Sequence, residues 1–106
     1  MDSISILFVT NSIIRQLNKK FLGRHYATDV LAFETGDIVV SVDMAIENAK
    51  HFKTDLKREL VLYVIHGLLH LLGYDDHRPK DIALMRQKEI QCLKKVEHLI
   101  PKAFIS

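Results

Sequence analysis

The chain has 106 residues, 48% apolar and 26% charged, the balance of an ordinary globular protein, and it is read as a single domain over residues 1–106. Fifteen Lys+Arg against thirteen Asp+Glu leave a formal charge of +2, too small for a global basic field, so any nucleic-acid binding must rest on local basic residues. The lone Cys92 excludes an internal disulfide, no segment is long and apolar enough to span a bilayer, and Asp2 without a basic lead-in is no secretory signal; a cytoplasmic protein is expected.

Residues 4–9 are short and β-branched and predict a strand. Thr10, Asn11 or Ser12 then offers an N-cap, because a side-chain oxygen there can accept the orphan amide hydrogens of a first turn. Ile13, Ile14, Leu17, Phe21 and Leu22 follow at helical spacing until Gly23. Beyond a polar connection at residues 24–28, residues 30–33 and 38–42 read as strands, and Thr35-Gly36-Asp37 makes them a hairpin. Asp43 is the expected cap of a short helix carrying Ala45, Ile46, Ala49 and Phe52. Thr54 and Asp55 cap the next helix, which is apolar on nearly every side over residues 60–72 and should be central and buried. After a loop at residues 74–80, a last helix begins at Asp81, turns Ile82, Met85, Ile90, Leu93, Val96 and Leu99 inward, and stops at Pro101. The pattern predicts an α+β fold, a small sheet with its helices packed on one face.

The chemistry concentrates in His66-Gly67-Leu68-Leu69-His70-Leu71-Leu72-Gly73-Tyr74-Asp75-Asp76-His77. Four residues on a helix are about 40° around the axis and about 6 Å along it, so His66 and His70 can share one metal ion. Glu59 and Tyr63 fall on the same stripe. Gly73 can take the left-handed conformation that closes a helix, letting His77 swing back. Three histidines with room for a water describe a catalytic zinc site rather than a closed structural one. Nickel, copper or iron tolerate the same ligands. Cys92 is read as a small core residue and not as a fourth ligand. A zincin protease would carry its general-base glutamate directly after the first histidine, where this chain has Gly67, a residue that instead permits another strand to approach closely.

This stretch resembles the signature of the YbeY family, bacterial metal-dependent endoribonucleases of ribosomal RNA maturation. Leu17-Asn18, Thr28-Asp29-Val30-Leu31-Ala32-Phe33 and Gly36-Asp37-Ile38-Val39-Val40-Ser41 resemble a second block of that family in order and spacing. The resemblance implies an α+β fold with a mixed sheet, a three-histidine site usually holding zinc, and roles in 3′-end processing of small-subunit ribosomal RNA and in ribosome quality control. It implies His66 and His70 as ligands. Strict register would make Asp76 the third, but an inserted loop residue is readily absorbed and imidazole is the better zinc donor, so His77 is preferred. Asp76 is then left to orient a ligand or accept a proton. At the family's arginine this chain aligns Leu22, and Arg24 is taken as the phosphate-contacting catalytic cation. Ala27 stands where the family has proline. Relative to typical members the chain is expected to be shortened at its N-terminus, with an open sheet edge.

The expected reaction is metal-assisted hydrolysis of single-stranded RNA. Asp76, or failing it Glu59, acts as base, Arg24 stabilises the transition state, and Arg78 and Lys80 grip flanking phosphates. Expected partners are ribosomal RNA, the small ribosomal subunit and ribosome-associated proteins. The rival readings are a zincin-like metalloprotease and a ribosome-binding module with a structural metal.

Overall fold

The run Ile38-Val39-Val40 does not alternate with polar residues, and all three side chains are buried, as in a strand covered on both faces. The computed structural model describes residues 3–99. In chain order its elements are β1 (Ser5–Val9), α1 (Asn11–Leu22), β2 (Val30–Ala32), β3 (Asp37–Ser41), α2 (Val42–Phe52), α3 (Leu56–Leu71), α4 (Pro79–Val96) and a 3-10 turn at Glu97–Leu99. The sheet has the order β1-β3-β2. β1 runs parallel to β3 with Ile6 opposite Ile38, and β2 runs antiparallel with Leu31 opposite Val39, so the sheet is mixed. The expected hairpin forms, turning at Gly36 with φ 96°.

Helices cover both faces of this sheet, not one. Ile38 and Val40 pack with Ala45 of α2 and with Leu60 and Tyr63 of α3. Val39 and Leu31, on the other face, pack with Ile14 of α1. Burial at both parities of β3 requires this third layer, because a half-covered strand would leave every second residue in water. β1 forms an edge, with Leu7 and Phe8 more than half exposed.

Local chemistry fixes the helix ends. Thr10 Oγ1 accepts the Ile13 N–H at 3.3 Å, and Gly23 closes α1 at φ 69°. Ser41, not Asp43, caps α2. The helix already begins at Val42, so Ser41 Oγ accepts the Met44 N–H at 3.1 Å, while Asp43 Oδ2 accepts the Asn11 N–H at 2.7 Å and serves the start of α1. Asp55 Oδ1 accepts the Lys57 N–H at 3.0 Å to start α3. Gly73, at φ 99°, ends that helix, with its N–H on the His70 carbonyl and the Tyr74 N–H on the Leu69 carbonyl, both at 3.0 Å.

α4 begins at Pro79 rather than Asp81, since proline's fixed φ suits a first helical position and its missing N–H costs nothing there. Met85 and Leu93 pack on Ile65 and Leu69 of α3, with Cys92 and Val96 at the margin of that cluster. Ile90 does not join them. It is 50% exposed, Ile82 is exposed as well at 37%, and the inward stripe runs instead through residues 85, 89, 93 and 96, placing Glu89 on the α3 side. The expectations for the Leu99 side chain and for Pro101 lie outside the described residues. Among the described residues no helix is long and apolar enough to cross a membrane.

Candidate metal centre

α3 presents His66 and His70 one turn apart, as their spacing requires. Their Nε2 atoms lie 3.0 Å from each other. The reversal after Gly73 brings the Asp76 carboxylate over the pair, with Oδ2 at 3.5 Å from each Nε2. Together these three residues form a group able to hold a metal ion. A tetrahedral ion with nitrogen and oxygen ligands at about 2.0–2.1 Å would separate its ligand atoms by about 3.3 Å. The observed edges bracket that value, and two imidazoles with a carboxylate are a donor set that zinc and other divalent transition ions accept.

The electrostatics agree with this arrangement. Glu89 Oε2 sits 3.1 Å from His66 Nδ1, and this bond holds the imidazole above the usual histidine range against the opposing effect of burial. Charges on Glu89 itself, Asp29 and Asp76 push the same way. A carboxylate can only accept here, so His66 Nδ1 is the donor and, in the neutral ring, Nε2 keeps its lone pair facing His70 and Asp76. Tyr63, one turn earlier, is tied to the Asn48 amide. Burial pushes its phenol up, the Asn48 hydrogen bond opposes that shift, and the charges of Asp29 and Glu59 add to it.

Asp76 therefore stands where His77 was expected. The His77 side chain is 77% exposed against 25% for His66, and its Nε2 pairs with Asp75 Oδ1 at 3.2 Å. The physical reason is the turn itself: Gly73 reverses the chain so that residue 76 falls over the helix end and residue 77 points away along the cleft wall. Glu59 is spent at the other end of α3. Its Oε1 accepts the Thr54 hydroxyl at 2.6 Å, seven residues and so roughly 10 Å along the axis from His66. Cys92 belongs to the α3–α4 core and not to the cluster.

The cluster opens into two cavities. The larger, of about 570 Å³, is lined by His66, His70, Asp75, Asp76 and His77 together with Leu22 and Arg24 from the end of α1. The smaller, of about 370 Å³, lies on the other side of His66 and Asp76 and is lined by Asp29, Tyr63, Arg86 and Glu89 among others. Arg24 is thus brought to the cleft. Arg78, which occupies the N-cap of α4, and Lys80, exposed on its first turn, line neither cavity. Gly67 is buried against the sheet: a Cβ at that position would lie 2.8 Å from Ile38 Cγ2. A glutamate there would have to displace the fully buried Ile38 side chain, so packing as well as sequence stands against a zincin base.

Glu89, Arg86, Asp29, Glu34 and Asp75 are charged residues lining the two cavities to which the sequence reading gave no role. For Glu89 a signal existed: it lies four residues after Met85 and four before Leu93, a carboxylate on an apolar stripe, and a charge in that position needs a partner.

Comparison with known proteins agrees with these features. The family model described as Endoribonuclease YbeY matches residues 2–97. Proteins called Endoribonuclease YbeY from Anaeromyxobacter sp. (strain Fw109-5) and from Finegoldia magna are 42% and 39% identical to the chain, over 94% and 88% of its length. These alignments cover 57% and 68% of those two proteins, so the chain spans somewhat over half to two thirds of their lengths. The solution structure of TM1509 from Thermotoga maritima superposes with a TM-score of 0.60 at 29% identity, over 90% of this chain and 71% of that one. With the family model spanning nearly all of its residues and the mixed sheet and central histidine helix in place, the chain belongs to the YbeY endoribonuclease family.

Proposed function

We propose that this chain is a metal-dependent endoribonuclease that hydrolyses single-stranded RNA, acting at the 3′ end of small-subunit ribosomal RNA and in ribosome quality control in the cytoplasm. His66, His70 and Asp76 hold its zinc ion. The observation that carries this reading is the convergence of two imidazoles and one carboxylate on the floor of an open cleft, in a chain of the YbeY family.

A zinc ion bound by this set supplies Lewis acidity to a phosphoryl oxygen and to an attacking water. The chain's own residues do the rest. Asp76, facing both imidazoles, serves as ligand and not as base. Asp75 and His77, paired on the cleft wall, are placed to accept the proton released by the nucleophile. Arg24 sets a guanidinium in the same cleft against the negative charge that grows on the phosphoryl group. An open cleft of this kind admits a flexible single strand more readily than a rigid duplex.

The deciding experiment incubates zinc-loaded protein with unstructured RNA, duplex RNA and casein. Cleavage of the first alone, lost on chelation and lost in His70→Ala, is expected. Casein digestion, or undiminished RNA cleavage by His70→Ala, would overturn the reading.

The strand's path can be tested through charge. Arg24 lies in one cavity and Arg86 in the other, with the His66–Asp76 pair between them. Arg24→Ala and Arg86→Ala are each expected to lower RNA affinity without regard to sequence and to reduce the slope of log affinity against log salt by about 0.7. Arg78 and Lys80 serve as outer contacts, and their alanine variants should change that slope less. Fluorescence anisotropy over a salt series reads all four.

A further inference from the structure

We infer that Glu89 is a positioning residue of the metal centre: it acts through His66, holding the ring in the tautomer and orientation that turn Nε2 towards His70 and Asp76. The inference rests on the metal-binding reading of those three residues. Its basis is geometric. Glu89 Oε2 lies 3.1 Å from His66 Nδ1, on the side of the ring away from the cluster. A carboxylate offers no proton, so the hydrogen must sit on Nδ1, and the neutral ring then presents a bare Nε2 to an ion. Free histidine prefers the opposite tautomer, with its proton on the nitrogen that a metal would need. Glu89 reverses that preference.

The support for the carboxylate is rigid. One turn to either side of Glu89, Met85 and Leu93 are almost wholly buried and pack on Ile65 and Leu69 of α3, the helix that carries His66. α3 and α4 thereby pack face to face, and the Glu89–His66 bond is a polar link beside that apolar cluster. Such a bond fixes both the ring's rotation and the direction of its lone pair. The imidazole itself stands between Glu89 and the other two ligand atoms, so Glu89 positions the site instead of exchanging protons with a nucleophile.

The test compares wild type, Glu89→Ala and Glu89→Gln in two measurements: Zn2+ affinity by competition with a chromophoric chelator, and the His66 ring nitrogens by NMR in metal-free protein. Glu89→Ala is expected to bind Zn2+ roughly 10–100-fold more weakly, at unchanged helical content, and to move the neutral His66 ring towards the Nε2–H tautomer. Glu89→Gln, nearly the same shape, covers the case in which alanine fails to fold. It is expected to weaken binding too, because it removes the charge that steadies the ring. A folded variant that binds Zn2+ within about twofold of wild type, with the His66 tautomer unchanged, would overturn the inference. If wild type binds no Zn2+, the metal reading fails, and the tautomer comparison alone then decides the role of Glu89: an unchanged ring in Glu89→Ala sinks it.

Discussion

Asp76→Ala is expected to weaken Zn2+ binding by more than about 100-fold and to remove RNA cleavage with it, whereas His77→Ala stays within a few-fold of wild type in affinity. The lower bound follows from comparison: losing an outer-shell partner alone costs roughly 10–100-fold, and a direct ligand contributes more. The asymmetry between neighbouring residues follows from the turn at Gly73. Asp76 Oδ2 lies 3.5 Å from both imidazole nitrogens, while His77 is largely exposed and engaged with Asp75. Asp76→His provides the reciprocal test. It places a third imidazole at the position the backbone already aims at the pair, and it is expected to restore binding where alanine does not. Chelator competition on the three variants separates the possibilities. A His77→Ala protein that loses its zinc while Asp76→Ala keeps it would reverse the assignment.

That ambiguity between adjacent residues shows where sequence reasoning reaches its limit. The helical positions of His66 and His70 were legible because the 3.6-residue period is a local property of the backbone. Gly23 and Gly73 were legible as helix ends, and Thr10 and Asp55 as members of short runs of cap candidates, for the same reason: caps depend on a few residues and their own hydrogen bonds. Past Gly73 no period operates, and which residue returns to the helix depends on the loop's full path. Chemical preference for imidazole then favoured His77, and geometry favoured Asp76. A similar competition misplaced Ile90. Hydrophobicity argued for turning it inward, but the faces set by Met85 and Leu93 leave room at residue 89, and the Glu89 charge is satisfied there by His66. The third layer was visible in principle in Ile38-Val39-Val40, whose unbroken apolar run marks a strand buried on both sides. Which helix covers the second face is set by chain crossing, and no local signal carries that.

Gly67→Ala is expected to destabilise the fold by about 1–2 kcal/mol, although alanine is intrinsically the better helix former by up to about 1 kcal/mol. The packing decides the sign. The added Cβ would meet Ile38 Cγ2 at 2.8 Å and Cδ1 and Cγ1 at 3.4 Å. Ile38 cannot swing aside, because it is fully buried at the centre of the sheet, between Ile6 of β1 and Ala32 of β2. α3 must then lift from β3, and the helix that moves is the one carrying both histidines, so Zn2+ affinity falls along with stability. Gly67→Glu adds a carboxylate in the same dry contact and is expected not to fold. The steric origin is checked by a double-mutant cycle. Ile38→Ala removes all three atoms that the new Cβ meets and on its own costs about 2–5 kcal/mol. Combined with Gly67→Ala it should cost at least about 1 kcal/mol less than the sum of the two, since the introduced methyl enters space that the isoleucine has vacated. Denaturant melts of the four proteins measure this coupling, and strict additivity would refute the contact as the cause. The same glycine that denies the chain a protease base thus lets a histidine helix lie flat on its central strand.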